Sequence, residues 1–277
     1  MTAQDMEHAS NGYAKILWTG GWDSTFRILY ATVVDGKRVE PHYIVDTGRP
    51  SSLQELRAIS DIRRALRTSY PEAYERLSPL QITLRNEIPE DRDITDAWKR
   101  LRQTMELARQ YDWLARYAKS RNLTALELGV ETDGRDDGVH SFLRENVDRT
   151  PSGTYRLKRE AATGGELFAR FEFPILDHTK VKMREIARQR GFLEILEQSW
   201  FCHEPINGRP CGMCNPCVSV VNQGMGYRLT KKALFCCYVV QFVRKSPLSK
   251  LNLPRQLYHW VRHSSHSTKS PPVKAGV

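Results

Sequence analysis

The stretch Ile16-Leu17-Trp18-Thr19-Gly20-Gly21-Trp22-Asp23-Ser24-Thr25-Phe26 puts two glycines and an aspartate between an apolar run and an amphipathic one. Lys15 to Trp18 reads as a short buried strand and Ser24 to Val34 as a helix, so the glycines fall on the turn between them. Such a strand–turn–helix is suited to an anion. Backbone N–H groups unpaired at the helix start converge on phosphate oxygens, and glycine lets the backbone come close without a Cβ in the way. The hydroxyls of Thr19, Ser24 and Thr25 add donors. Asp23 beside a phosphate calls for a cation between them, which makes it a Mg²⁺ ligand bridging to a triphosphate. On the glycine pair alone, a plain connecting turn is the better reading.

Working outward, strands and helices alternate. His42 to Val45 reads as a second strand closed by Asp46-Thr47-Gly48, and Leu53 to Leu66 has helical spacing with Leu53, Leu56, Ile59, Ile62 and Leu66 on one side. Leu80 to Leu84 reads as a third strand, Thr95 to Ser120 as a long helical region, and Leu123 to Val130 as a fourth strand. A further helix is expected from Lys180 to Arg190, ended by Gly191. No internal repeat is present, and the alternation predicts an α/β fold.

A chain of 277 residues with 40% apolar content is long enough for one large domain or two small ones. The longest apolar run, Ala233 to Val243, is broken by Gln241 and falls short of the roughly 20 residues a membrane span needs, so no membrane association is expected. The first fourteen residues carry Asp5, Glu7 and His8 and have no apolar centre, which argues against a secretory signal. A cytoplasmic location is expected, where six cysteines are more naturally thiols or metal ligands than disulfides. Net charge is +10, from 42 Lys and Arg against 32 Asp and Glu. Residues 227–277 hold ten of the basic residues and no acidic one, leaving 32 against 32 elsewhere. The basic character therefore belongs to an extension. A solvated helix docking on the body is its plain reading, and a contact surface for nucleic acid or a partner protein the sharper one.

Cys202, Cys211, Cys214 and Cys217 follow the spacing C-x8-C-x2-C-x2-C, with Gly212 and Pro216 among the intervening residues. Four thiolates on tight turns suit a tetrahedral Zn²⁺. The run from Cys211 to Cys217 equally has the C-x2-C-x2-C form of iron–sulfur proteins, so spacing alone leaves both open. His203 is a spare donor or a surface histidine, and Cys236 and Cys237 read as packing residues.

The string Thr19-Gly-Gly-Trp-Asp-Ser24 resembles the SGGxDS signature of the PP-loop ATP pyrophosphatases, with threonine in place of the first serine. Asp46-Thr47-Gly48 with Glu55 matches the next region of that superfamily. Together with Gly129-Val-Glu-Thr-Asp133, Phe173-Pro-Ile-Leu176, Lys180 and the spaced cysteines, the order is similar to that of the 7-cyano-7-deazaguanine synthase (QueC) family, from about Ala14 to Gly226. The resemblance implies a doubly wound parallel sheet of the adenine nucleotide alpha hydrolase-like type and a structural zinc held by the four cysteines. It implies ATP binding by Trp18, Thr19, Gly20, Gly21, Trp22, Asp23, Ser24, Thr25, Asp46 and Gly48, with Asp23, Ser24 and Lys180 catalytic. The implied reaction adenylates the carboxyl of 7-carboxy-7-deazaguanine with ATP and Mg²⁺. Ammonia then gives the amide, and a second activation the nitrile.

A guanine-like edge is bound by a carboxylate that accepts two N–H groups at once. Glu131, Asp133, Arg135 and Asp136 lie in the right stretch, just past the fourth expected strand, and Glu131 and Asp133 match the family's ETD. Asp136 and Asp137 read equally as a solvated turn. The sequence departs from the family in having only Gly134 between Asp133 and Arg135, and Arg109-Gln-Tyr-Asp-Trp113 near the place of a PGRN-type segment. Trp18 and Trp22 flank the loop as candidate stacking faces, although Trp18 on a strand suits the core better. The expected organisation is a leader at 1–13, a PP-loop domain at 14–226 with a zinc segment at 200–218, and a basic extension at 227–277 that is disordered at its end, with a homodimer as a candidate assembly. Alternative functions are a paralogue that stops at the amide or joins the carboxyl to an amine on a macromolecule, a PP-loop tRNA sulfur transferase needing a reactive cysteine outside the metal site, and a non-catalytic zinc-bearing module that binds RNA or protein.

Overall fold

The computed structural model describes residues 12–132 and 138–245. Among these the chain divides into two compact units, one reaching to Gly48 and resuming over Ser52–Trp200, the other formed by Arg49–Ser51 with the residues from Phe201 on. The leader up to residue 11, Asp133, Arg135, Asp136 and Asp137, and the end of the extension from residue 246 lie outside the described residues.

The first unit is α/β. Its strands are β1 (Tyr13–Leu17), β2 (Arg38–Val45), β3 (Gln81–Leu84), β4 (Leu126–Glu127), β5 (Val147–Arg149), β6 (Tyr155–Leu157) and β7 (Phe171–Glu172). They form one seven-stranded sheet in the order β3-β2-β1-β4-β7-β6-β5. From β3 through β7 neighbours run parallel, with Leu17 of β1 beside His42 of β2 and Lys15 beside Leu126 of β4. β6 and β5 run antiparallel at the far edge, so the sheet is mostly rather than wholly parallel. The chain steps from β1 outward to β3 and then returns to the other side of β1. The order therefore reverses between β1 and β4, which opens a crevice beyond their carboxyl ends.

Helices cover both faces, as alternating side chains on buried strands require. The helix α1 (Trp22–Leu29) continues as a π-helical turn over Tyr30–Val34. On its face, Trp18 is fully buried and its indole N–H donates to Thr25 Oγ1 at 3.0 Å. α2 (Ser52–Ser69) is followed by the short α3 (Pro71–Glu75). On the opposite face Leu17 and Ile44 join a core with α4 (Arg92–Arg102), α5 (Gln110–Ser120) and Phe168, Phe171 and Phe173. The expected single helix from Thr95 to Ser120 is thus two helices. The Trp98 indole donates to Ala108 O at 3.2 Å and the Thr104 hydroxyl to Leu101 O at 2.8 Å, which fixes the connection between them. The fourth strand is confined to Leu126–Glu127, although Leu128 N–H still bonds Glu172 O at 2.9 Å. α6 (Val139–Asn146), α7 (Lys180–Gln189) and α8 (Leu193–Leu196) complete this unit, and Gly191, at φ +83°, ends the turn after α7 as expected.

The second unit carries the cysteine segment, α9 (Asn215–Asn222) and α10 (Lys231–Lys245). Among the described residues no helix is long and apolar enough to cross a membrane.

Candidate functional site

In the first unit the site grows from the turn between β1 and α1. Gly20 has φ +69°, and a Cβ there would lie 2.8 Å from Glu55 O and 3.1 Å from Ile59 Cγ1, so the turn admits only glycine. Gly20 O accepts from Trp200 N–H at 2.7 Å. Gly21 is the N-cap of α1 and no side chain caps that end, leaving first-turn amides directed along the helix axis toward the crevice. The Thr19 and Ser24 hydroxyls lie 3.2 Å apart, and Thr19 N–H donates to Ser24 Oγ at 3.2 Å. Thr19 is exposed at the mouth of the turn, whereas Ser24 is 8% exposed.

Three segments far apart in sequence meet at this helix start. A Cβ on Gly129 would sit 3.5 Å from both Asp23 Cβ and Ser24 N, so the chain leaving β4 runs directly past the turn. Two residues on, Glu131 forms an ion pair with Lys180, the first residue of α7, and Lys180 Nζ lies 3.5 Å from Asp23 Oδ1. Thr179 fixes the start of α7 by accepting from Lys182 N–H at 3.1 Å, and Thr132 N–H bonds His178 O at 3.0 Å, which ties the two segments together. Asp23 Oδ1 and Glu131 Oε2 are both buried without a hydrogen-bond donor. The result is one ammonium between two carboxylates, each with an oxygen turned inward and unpaired. That arrangement suits a divalent cation, because such oxygens are costly to bury without a partner. Beside it, His178 is pushed below the usual imidazole range, mainly by burial and against the pull of Asp177.

Other expected residues take different parts. Trp18 is fully buried and Trp22 is 3% exposed, so neither indole offers a stacking face. Thr25 is fully buried with its hydroxyl already accepting from Trp18, which removes it as a phosphate donor. Asp46 accepts at Oδ1 from Gly48 N–H at 3.2 Å and pairs with Arg85 at 3.0 Å. Arg85 has no motif around it and went unread in the sequence. Glu55 is buried and accepts from the Tyr43 hydroxyl at 2.8 Å. A second unread pair, Arg27 with Glu127, is bidentate at 2.6 and 2.9 Å and buried, fastening α1 to β4 beneath the crevice. Its sequence signal was weak, since Glu127 is a lone acid in the apolar run from Leu123 to Val130.

The second unit brings Cys202, Cys211, Cys214 and Cys217 together, all four sulfurs within 4.8 Å of one another. Four thiolates at about 2.3 Å from one ion stand roughly 3.8 Å apart. Here Cys202 and Cys214 are 3.8 Å apart, Cys211 and Cys217 3.9 Å, and Cys214 and Cys217 3.4 Å. Backbone N–H groups point at the sulfurs as they would at thiolates. Cys211 N–H donates to Cys202, and the Met213 and Cys214 N–H groups donate to Cys211, at 3.2 to 3.3 Å. Gly212 has φ +76°, and a Cβ there would be 2.0 Å from Ala233 O, so the knuckle packs on the backbone of α10. The four cysteines could hold a metal ion such as zinc. Cys236 and Cys237 are buried, and burial pushes Cys237 up to about 12, which makes it a poor nucleophile.

No protein-family model matches the chain, and no curated protein matches it.

Proposed function

We propose that the protein is an ATP-dependent carbon–nitrogen ligase of the PP-loop pyrophosphatase type, similar to 7-cyano-7-deazaguanine synthases. The observation that carries this reading is the meeting of Asp23, Glu131 and Lys180 at an uncapped, glycine-started helix, where the strand order reverses. In this reading the first-turn amides of α1 and the Thr19 hydroxyl receive the triphosphate of ATP. Asp23 and Glu131 would hold Mg²⁺, which neutralises phosphate charge, and Lys180 offsets the charge that develops on the departing pyrophosphate. A carboxyl oxygen of the substrate attacks the α-phosphorus, and the bond to pyrophosphate breaks. Ammonia then attacks the activated carbonyl and AMP leaves, giving an amide. A second activation of the amide oxygen, followed by loss of AMP and a proton, gives the nitrile.

Zinc held by the four cysteines has a structural role in this proposal. The deazapurine as substrate rests on Glu131 with Asp133, Arg135 and Asp136, through the family resemblance. A sulfur transferase is disfavoured by the burial of Cys236 and Cys237, the only cysteines outside the cluster.

The test is mass spectrometry of the purified protein with ATP, Mg²⁺, ammonium and 7-carboxy-7-deazaguanine. AMP and pyrophosphate are expected with the amide or nitrile, and Asp23→Asn should abolish them while the fold remains. Release of ADP and phosphate would refute the pyrophosphatase assignment. An amide without nitrile would mark a paralogue that stops earlier.

A further inference from the structure

Helix α10 buries one side and leaves the other bare. Ala233, Cys236, Cys237 and Val240 are buried in the second unit, whereas Phe235 is 68% exposed, Tyr238 56% and Phe242 70%. Positions 235, 238 and 242 fall on one helical stripe, and exposed Lys231 continues it by one turn toward the N-terminus. Three large rings in a row in water are unusual for a surface that has no partner.

The character of this face narrows the partner. Every large exposed apolar residue of this unit is aromatic: Tyr227, Phe235, Tyr238 and Phe242. The large exposed apolar residues of the other unit, Leu53, Ile82, Leu84 and Val181, are all aliphatic. Grease alone would not select for rings. Charge gives the second constraint. Lys231 and Lys232 are exposed and make no ion pair among the described residues, and the sequence from 227 to 277 holds ten Lys and Arg and no Asp or Glu. A second copy of α10 would set lysine stripe against lysine stripe. Folding the chain's own end over the rings would add five more positive charges, Lys250, Arg255, Arg262, Lys269 and Lys274, with none to balance them. The partner that complements both properties is a flexible polyanion with flat apolar groups.

We propose that the exposed face of α10 is a docking surface for single-stranded nucleic acid. Bases stack on Phe235, Tyr238 and Phe242, and Lys231, Lys232 and the basic residues that follow neutralise the phosphates. The rings are offset along the axis by about 4.5 and 6 Å, a separation that successive unpaired bases can span. The proposal stands on the second unit alone and is independent of the reaction proposed for the first.

The test is fluorescence anisotropy of labelled 20-nucleotide single strands, RNA and DNA in separate arms, titrated with the full-length protein at two salt concentrations. Binding is expected to weaken with salt by counterion release, and Lys231→Gln with Lys232→Gln should make that dependence shallower. Phe235→Ala/Tyr238→Ala/Phe242→Ala should weaken binding by about 100-fold or more, since each stacked base contributes severalfold. The matching triple leucine variant keeps the face apolar and should bind as poorly as the alanine one, with unchanged metal content as the check on folding. Ultraviolet cross-linking should place the strand on the peptide carrying Phe235 to Phe242. Full binding by the leucine variant, or by the alanine variant, would overturn the proposal. So would ring-dependent binding to phosphatidylserine vesicles, or ring-dependent dimerisation in sedimentation, without binding to either strand.

Discussion

Replacing Lys180 by methionine removes the one cation between two carboxylates while nearly preserving side-chain volume. The three side chains are 15% exposed for Lys180, 13% for Glu131 and 28% for Asp23, so water screens them only in part. Breaking a buried ion cluster by removing one partner costs about 3–5 kcal/mol, because the remaining charge is left uncompensated. At about 2–4 °C per kcal/mol for a chain of roughly this size, Tm should fall by about 6–20 °C. The cause is separable from lost packing by a double-mutant cycle. Adding Glu131→Gln to Lys180→Met takes away one of the stranded charges and should restore about 1 kcal/mol or more relative to additivity. Mg²⁺ should raise Tm more in Lys180→Met than in the wild type, since the freed carboxylates gain a cation. Calorimetry or circular dichroism with and without Mg²⁺ gives all four corners. Additive effects within about 0.5 kcal/mol, with a Tm loss below about 3 °C, would show that the three groups do not act as a unit.

Gly20→Ala should cost about 2–4 kcal/mol by forcing a Cβ into left-handed backbone and against Glu55 O, and chemical denaturation will measure it. Metal analysis should find about one zinc per chain, and Cys214→Ser or a strong chelator should expose the segment after Trp200 to protease, because metal binding is coupled to local folding. Stoichiometric iron with a brown colour would instead identify a cluster. His42 and His178 are both held below the usual imidazole range chiefly by burial, so the folded state binds fewer protons than the unfolded one. Stability is therefore retained above the unfolded value near 6.5 and lost as pH falls through it. Tm at pH 5.5 should lie below that at pH 7.5, and His42→Gln with His178→Gln should narrow the gap.

What the sequence disclosed followed the range of the forces involved. The β1 turn and the cysteine knuckle were legible because their determinants are local: glycines at positive φ in one, close spacing of thiols in the other. The meeting of Glu131 and Lys180 at Asp23 depends on strand order, which no local pattern encodes, and only a family resemblance anticipated it. The break between α4 and α5 carries neither glycine nor proline, and tertiary bonds from Trp98 and Thr104 set it against helical propensity. The antiparallel edge was readable in principle, since Pro151-Ser152-Gly153 separates β5 from β6 like a hairpin turn, but strands of three residues give alternation too little room.

The π-helical turn after α1 has a consequence for how this chain tolerates change in length. At Tyr30–Val34 the backbone accommodates an extra residue per turn, with Asp35 N–H reaching back to Tyr30 O at 3.0 Å, and this brings Asp35 to within 3.2 Å of Arg27. Deleting one residue here would let the helix relax to ordinary winding and swing everything after it by about 100° around the axis. Asp35 would then turn away from Arg27, and β2 would be entered out of register with β1. A one-residue deletion in this turn should accordingly be far more damaging than any conservative substitution within it, and the register of the sheet should be what breaks first.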